Sequence, residues 1–174
     1  MRTKKLKVNT PMLSSVVRNS AARSVLCWLA TVDANGQPNV SPKEIFAALD
    51  TENLVIANIA SPTSVRNIEV NPLVSVSFID IFVQKGFKLK GIARNVRRQA
   101  TEFSRWAAPL EEKTGARFLI HSVMVIRATA IEPILAPSYR LYPTETTEQS
   151  QAASAMRAYG VRPALGDTLP FGPH

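Results

Sequence analysis

Two neighbouring segments of this chain alternate apolar and polar residues, and that period of two constrains its fold more than any other feature. Over a strand read as Leu73–Val83, Val74, Val76 and Phe78 face one way and Ser75 and Ser77 the other. Gly86 marks a turn, and Phe87–Val96 returns with Phe87, Leu89 and Ala93 alternating with Lys88, Lys90 and Arg94. One face of that strand is therefore apolar and the other basic. Further strands carry the same class of signal. Val25–Val32 runs into the turn Asp33-Ala34-Asn35-Gly36, and Gln37–Ser41 returns antiparallel with Pro38 at an edge or a strand start. Leu54–Ile59 is almost continuously apolar, as a strand covered on both faces would be. Ile45–Leu49 is a further strand, closed by the turn around Asp50-Thr51-Glu52, and Ser122–Leu135 ends the set, with a bend expected near Pro133.

Helical signals are fewer and lie between or outside these strands. Thr10 as N-cap and Pro11 at the first helical position precede a stripe of Met12, Leu13, Val16 and Val17. Ser61 is an N-cap residue, Pro62 suits the first turn, Val65 and Ile68 share a face, and Asn71-Pro72 stops the helix. Thr101–Thr114 carries Phe103, Trp106 and Leu110 on one stripe, with Pro109 implying a kink or a break and Gly115 an end. After Pro137 the chain reads as loop until a helix over Thr146–Tyr159, ended at Gly160. The expectation is a mainly β fold with peripheral helices, a six-stranded antiparallel barrel. It occupies one domain: an N-terminal arm over 1–24, the barrel over 25–135 and an extension over 136–174.

Composition narrows the function classes. One cysteine, Cys27, rules out an internal disulfide, and the chain reads as reduced and cytoplasmic. Two histidines, His121 and His174, with no Cys/His cluster give no expectation of a metal site. The longest strongly apolar stretch, Val25–Val32, falls far short of the ~20 residues of a membrane helix, and no signal-peptide core follows the basic start. Lys and Arg number 21 against 13 Asp and Glu, a net charge of +8. The excess is concentrated in two acid-free stretches, before Asp33 and over Lys85–Arg98. Both an anionic partner and a merely solvated basic face fit that pattern.

The stretch that carries chemistry is Ala57-Asn58-Ile59-Ala60-Ser61-Pro62-Thr63-Ser64, where a buried strand meets a helix start. Unpaired N–H groups and the positive helix end favour an anion there, phosphate above all. Ser61, Thr63 and Ser64 add hydroxyls; alternatively, Ser61 only caps the helix. Pro38-Asn39-Val40-Ser41-Pro42-Lys43 supplies a second strand and one cation. His121 reads as structural, Cys27 as core, and Trp28 and Trp106 as core.

From about Val25 to Val96 the sequence resembles the pyridoxamine-phosphate-oxidase-like family of FMN-binding split barrels. The likeness rests on Leu29-Ala30-Thr31-Val32-Asp33-Ala34-Asn35-Gly36-Gln37-Pro38, Ala57-Asn58-Ile59-Ala60-Ser61, Asn67-Ile68-Glu69-Val70-Asn71-Pro72, Val74-Ser75-Val76-Ser77-Phe78 and Lys90-Gly91, in matching order and spacing. The tail from Ala136 to Gly160 also resembles an extension of some small members. The resemblance implies a split barrel that forms a homodimer with FMN in clefts between the subunits. It places Val40, Ser41, Pro42 and Lys43 along the flavin and its phosphate, Ala57 and Asn58 at the neighbouring strand end, and Ser61, Thr63 and Ser64 at the phosphate. Lys88 would reach the flavin of the other subunit. Two departures argue against oxidation of pyridoxine phosphate itself. Pro62-Thr63 stands where the oxidase carries an Arg-Lys pair, and the oxidase's C-terminal Arg- and Trp-bearing motif is missing.

The expectation is therefore an FMN-dependent oxidoreductase acting on a small molecule, with no catalytic residue identified. The alternative is a split-barrel module that holds flavin or haem without turnover. Nucleic-acid binding by Lys85–Arg98 ranks low, because only Phe87 accompanies the cations and it faces inward.

Overall fold

The computed structural model describes residues 13–115 and 118–163. A single antiparallel sheet dominates it, built from β1 (Cys27–Val32), β2 (Pro38–Lys43), β3 (Phe46–Ala48), β4 (Asn53–Asn58), β5 (Leu73–Asp80), β6 (Lys85–Arg97) and β7 (Ser122–Leu135). The strand order is β2-β1-β5-β6-β7-β4-β3, seven strands against the expected six. Every segment read as a strand forms one, and that read over Ile45–Leu49 is shortened to the three-residue edge strand β3, which pairs with β4. The two edge strands, β2 and β3, are consecutive in the chain with only Glu44 and Ile45 between them. That short link forces the sheet to curl until its ends meet, which makes a split barrel.

Alternation decides what faces inward. On β1, Cys27, Leu29 and Thr31 are buried, so Trp28 points out and is 45% exposed. Its reading as core is thus corrected: a period of two lets only one of Cys27 and Trp28 enter the barrel. The interior holds Leu29, Phe46, Leu54, Ile56, Val76, Phe78, Leu89, Met124 and Ile126. All of Leu54–Ala57 is buried, as the apolar run of β4 requires, because the outer side of that strand is covered as well. The cover is α3 (Phe103–Thr114), whose Phe103, Trp106, Ala107 and Leu110 pack on Val55, Val123 and Val125. Pro109 sits within that helix without breaking it in two.

α1 (Ser15–Arg23) sends Val17 and Ala21 into the barrel core, and Leu13 just before it joins them. Ser14, whose hydroxyl accepts from the Val17 N–H, is its N-cap; the expected start at Thr10, Pro11 and Met12 lies outside the described residues. α2 (Pro62–Val70) buries Ile68, packs Val65 against the same core, and stops at Asn71 before Pro72. After β7 a short helix, α4 (Ser138–Leu141), occupies part of what reads as loop. α5 (Glu148–Tyr159) follows, with a capping box between Thr147 and Ser150 and a left-handed Gly160 (φ 67°) at its end.

The β5–β6 connection differs from expectation. β5 ends at Asp80, and the reversal spans 81–84 with Gln84 at φ 54°. Gly86 is not the turn but a strand residue opposite Ile79, and a Cβ there would lie 2.1 Å from the Phe78 carbonyl oxygen. Close approach of backbones, not bending, requires glycine at that position. Pro133 pairs in register with Phe87, and the irregularity of the ladder falls between Lys90 and Gly91 instead. Pro133 is tolerated because β4 flanks β7 only as far as Arg127, which leaves no ladder bond on that side to lose.

Candidate functional site

The barrel's split lies where the end of β2 passes the end of β4 and the start of α2. Side chains, not ladder bonds, connect the two sides. Ser41 Oγ lies 3.2 Å from Ser64 Oγ, and Lys43 Nζ donates to Ser61 Oγ at 2.5 Å. Beneath them the α2 residue Asn67 donates to Thr31 Oγ1 at 3.0 Å, which fixes the helix to β1. Asn58 shapes the turn into α2: its Oδ1 accepts from the Ser61 N–H at 3.0 Å, and its Nδ2 donates to Ser122 Oγ at 2.9 Å. Ser61 therefore occupies the N-cap position without capping, since its hydroxyl serves Lys43 and not the helix. The first α2 amide with a partner inside the helix is that of Val65, bonded to the Ser61 carbonyl. The amides of Thr63 and Ser64 ahead of it are the donors such a helix start offers to an anion, while Pro62 has none.

Lys43 is the unusual member. It is 8% exposed, and no ion pair holds it among the described residues. Burial pushes its ammonium below the ordinary lysine value, with the Cys27 side chain across the β1–β2 pair acting the other way. The Cys27 thiol is itself pushed up to about 12 by burial, against the pull of Lys43, so it is neutral at physiological pH and belongs to the core as read. A desolvated cation beside the Ser61 hydroxyl at a helix N-terminus has the chemistry to meet an oxyanion.

A cleft of about 260 Å³ opens at this corner. Pro42, Ile45, Ala57, Ile59 and Phe118 give it apolar walls, and Lys43, Glu44 and Ser61 its polar groups. Of the residues singled out in the sequence, Pro42, Lys43, Ala57 and Ser61 line the cleft. Ser41, Asn58 and Ser64 brace it through the bonds above. Thr63 is exposed and accepts from Arg66 at 3.2 Å, which brings that cation to the helix start. Val40 points outward, 57% exposed, on the same face of the sheet as Trp28. Lys88 lies on that outer face too, paired with Glu132 at 3.0 Å and away from the corner of its own chain. Glu44, Ile45, Ile59 and Phe118 are not among the residues the sequence places at the site, although Ile59 lies within the stretch read as carrying chemistry. The first three adjoin residues that are, whereas Phe118 comes from a distant loop and carries no local signal. His121 reaches the site through its backbone, whose N–H donates to the Asn58 carbonyl at 3.0 Å.

The basic stretch over Lys85–Arg98 loses most of its apparent charge. Lys85 pairs with Glu148, Lys88 with Glu132, Arg94 with Glu102 and Arg97 with Glu69. No helix among the described residues is long and apolar enough to cross a membrane.

Comparison with known proteins agrees with this geometry. The family model described as pyridoxamine 5'-phosphate oxidase matches residues 14–155. Heme oxygenase HutZ of Vibrio cholerae serotype O1 (strain ATCC 39315 / El Tor Inaba N16961) is 33% identical over 94 residues, covering 50% of this chain and 52% of that protein. The chain thus spans about half the length of that curated relative. Among solved structures, HupZ of Group A Streptococcus superposes with a TM-score of 0.61 at 22% identity, over 72% of this chain and 96% of that one. An FMN-binding protein from Syntrophomonas wolfei subsp. wolfei superposes at 0.58 and 16% identity, over 67% and 82% respectively. At these identities the likeness establishes the split-barrel fold.

Proposed function

The chain belongs to the pyridoxamine 5'-phosphate oxidase family, and from that premise we propose that it is an FMN-binding oxidoreductase whose flavin lies at a homodimer interface. The observation that carries this reading is Lys43, a buried lysine with no carboxylate partner among the described residues, beside Ser61 and the α2 N-terminus. The corner fits a phosphate: an oxyanion there accepts from Lys43 Nζ, the Ser61 hydroxyl and the amides at the helix start, with Thr63, Ser64 and Arg66 adjoining. Pro42, Ile45, Ala57, Ile59 and Phe118 form an apolar wall that excludes water beside it. FMN, when bound, supplies the hydride or electron transfer; the protein supplies position and electrostatics. The fit also explains how the family's Arg-Lys pair can be replaced by Pro62-Thr63, since Lys43 and backbone donors then carry the charge.

The homodimer is supported by the outer sheet face, where Trp28, Val40 and Leu73 are exposed large apolar residues. A second chain covering that face would bury them and bring Lys88 towards the flavin of its partner. The substrate is a small molecule, the protein is cytoplasmic, and neither nucleic acid nor membrane is a partner in this reading.

A second reading, carriage of flavin or haem without turnover, has one observation in its favour. Among the described residues lining the cleft, only Lys43 and Glu44 titrate, so the site is poor in acid–base groups. One experiment separates the two: reconstitute the protein with FMN and supply a reduced nicotinamide with an acceptor. Bleaching of the flavin followed by its return marks an oxidoreductase. Flavin that stays bound but is never reduced marks a carrier, and no bound flavin removes the FMN reading.

A further inference from the structure

At the other end of β4, roughly 17 Å along the strand from the β2–α2 corner, a second hollow of about 160 Å³ opens beside α3. The sheet register builds it. Asn53, Arg127 and Ile92 stand in one row across β4, β7 and β6, and Val55, Val125 and Arg94 stand in the next row on the same face. Trp106 of α3 closes the side, so the floor is apolar while guanidinium groups stand at the rim.

The charges there are arranged, not scattered. Arg94 makes a two-point contact with Glu102, at 2.5 and 3.4 Å, and its Cζ lies 5.2 Å from the centre of the Trp106 ring. Arg105 lies 4.7 Å from the same ring centre. The contact with Arg94 holds the Glu102 carboxyl below its usual range. Asp50, the other acid nearby, takes both of its oxygens to Asn53 Nδ2 at 3.0 Å. Glu102 and Asp50 are thus both engaged, and Arg127 has no ion pair among the described residues.

We propose that this hollow binds a small organic carboxylate, with its carbon stem on Ile92, Val125 and the Trp106 ring and its carboxylate on Arg127, with Arg94 beside it. A guanidinium takes a carboxylate in two parallel hydrogen bonds, and Arg127, exposed at the mouth of an apolar hollow, presents that fork to a ligand. The volume suits a chain of a few carbons and is below the range of nucleotide or drug-sized sites. This site is separate from the flavin corner and stands whether or not FMN binds.

The test uses Trp106 as its own reporter. The chain has two tryptophans, so Trp28→Phe leaves Trp106 as the sole emitter, and succinate and inorganic phosphate are the titrants. Succinate should shift the emission with saturation, phosphate should bind more weakly for want of a stem, and Arg127→Gln should weaken succinate by about tenfold or more. Calorimetry on the unaltered chain should return the same affinity, which covers a poorly folding Trp28→Phe protein. No response to succinate in either measurement overturns the proposal. So does phosphate binding as tightly as succinate, or an affinity that Arg127→Gln leaves unchanged.

Discussion

Replacing Lys43 with methionine should make the protein more stable and worse at binding FMN, and the combination is what a ligand-binding cation requires. Lys43 is 8% exposed, and its one hydrogen bond among the described residues is to Ser61 Oγ. Removing such a buried charge in favour of an apolar side chain of similar length gains about 1–2 kcal/mol. For a domain of this size that corresponds to a rise in Tm of about 2–8 °C. A charge-assisted bond to phosphate contributes about 1.5–3 kcal/mol, so FMN affinity should fall by about 10- to 150-fold. The pH dependence follows from the direction of the Lys43 shift. Burial lowers its pKa from 10.5, so between the lowered value and 10.5 the unfolded chain binds more protons than the native one. The contribution of Lys43 to stability therefore climbs with pH across that window, while the raised Cys27 thiol acts the other way in both proteins, so the advantage of Lys43→Met over the parent shrinks there. Thermal unfolding at neutral and alkaline pH, with FMN titrations followed by flavin fluorescence, reads both quantities. A variant that is less stable than the parent and binds FMN equally well would refute the reasoning and leave Lys43 a structural residue.

Other expectations follow from single contacts. Ser61→Ala should weaken FMN about fivefold, one hydrogen bond's worth of about 1 kcal/mol, and lower stability by about 1–3 kcal/mol because the buried Lys43 ammonium loses its acceptor; unchanged unfolding would show that the Lys43–Ser61 bond contributes nothing to the fold. Gly86→Ala should cost about 3 kcal/mol by overpacking against the Phe78 carbonyl, read by denaturant titration. Trp28→Glu, on the exposed sheet face, should give monomers in analytical ultracentrifugation where the parent gives dimers. Because Lys85, Lys88, Arg94 and Arg97 are paired, the protein should not be retained on nucleic acid at moderate salt.

Local features of the sequence carried most of the fold. The period of two in β5 and β6, the apolar run of β4 and the proline at the start of α2 each act within one element, so each can be read before any packing is known. What could not be read arises between elements. Gly86 looks like a turn until the Phe78 backbone is placed against it. Lys85–Arg98 looks like a free basic strand because its neutralising acids, Glu69, Glu102, Glu132 and Glu148, come from four other places in the chain. The candidate site divides in the same way. Lys43 and Ser61 stood out by residue type, but that the serine serves the lysine and not the helix depends on β2 passing α2. Phe118 enters the cleft from beyond α3, and the arginine-lined hollow exists only once β4, β7 and β6 are in register.

Native mass spectrometry of the protein incubated with FMN weighs the central claim in one spectrum. The expected species is a pair of chains carrying two flavins, with Lys43→Met giving the same pair and little flavin. Single chains without flavin, or flavin held equally by the variant, would contradict it.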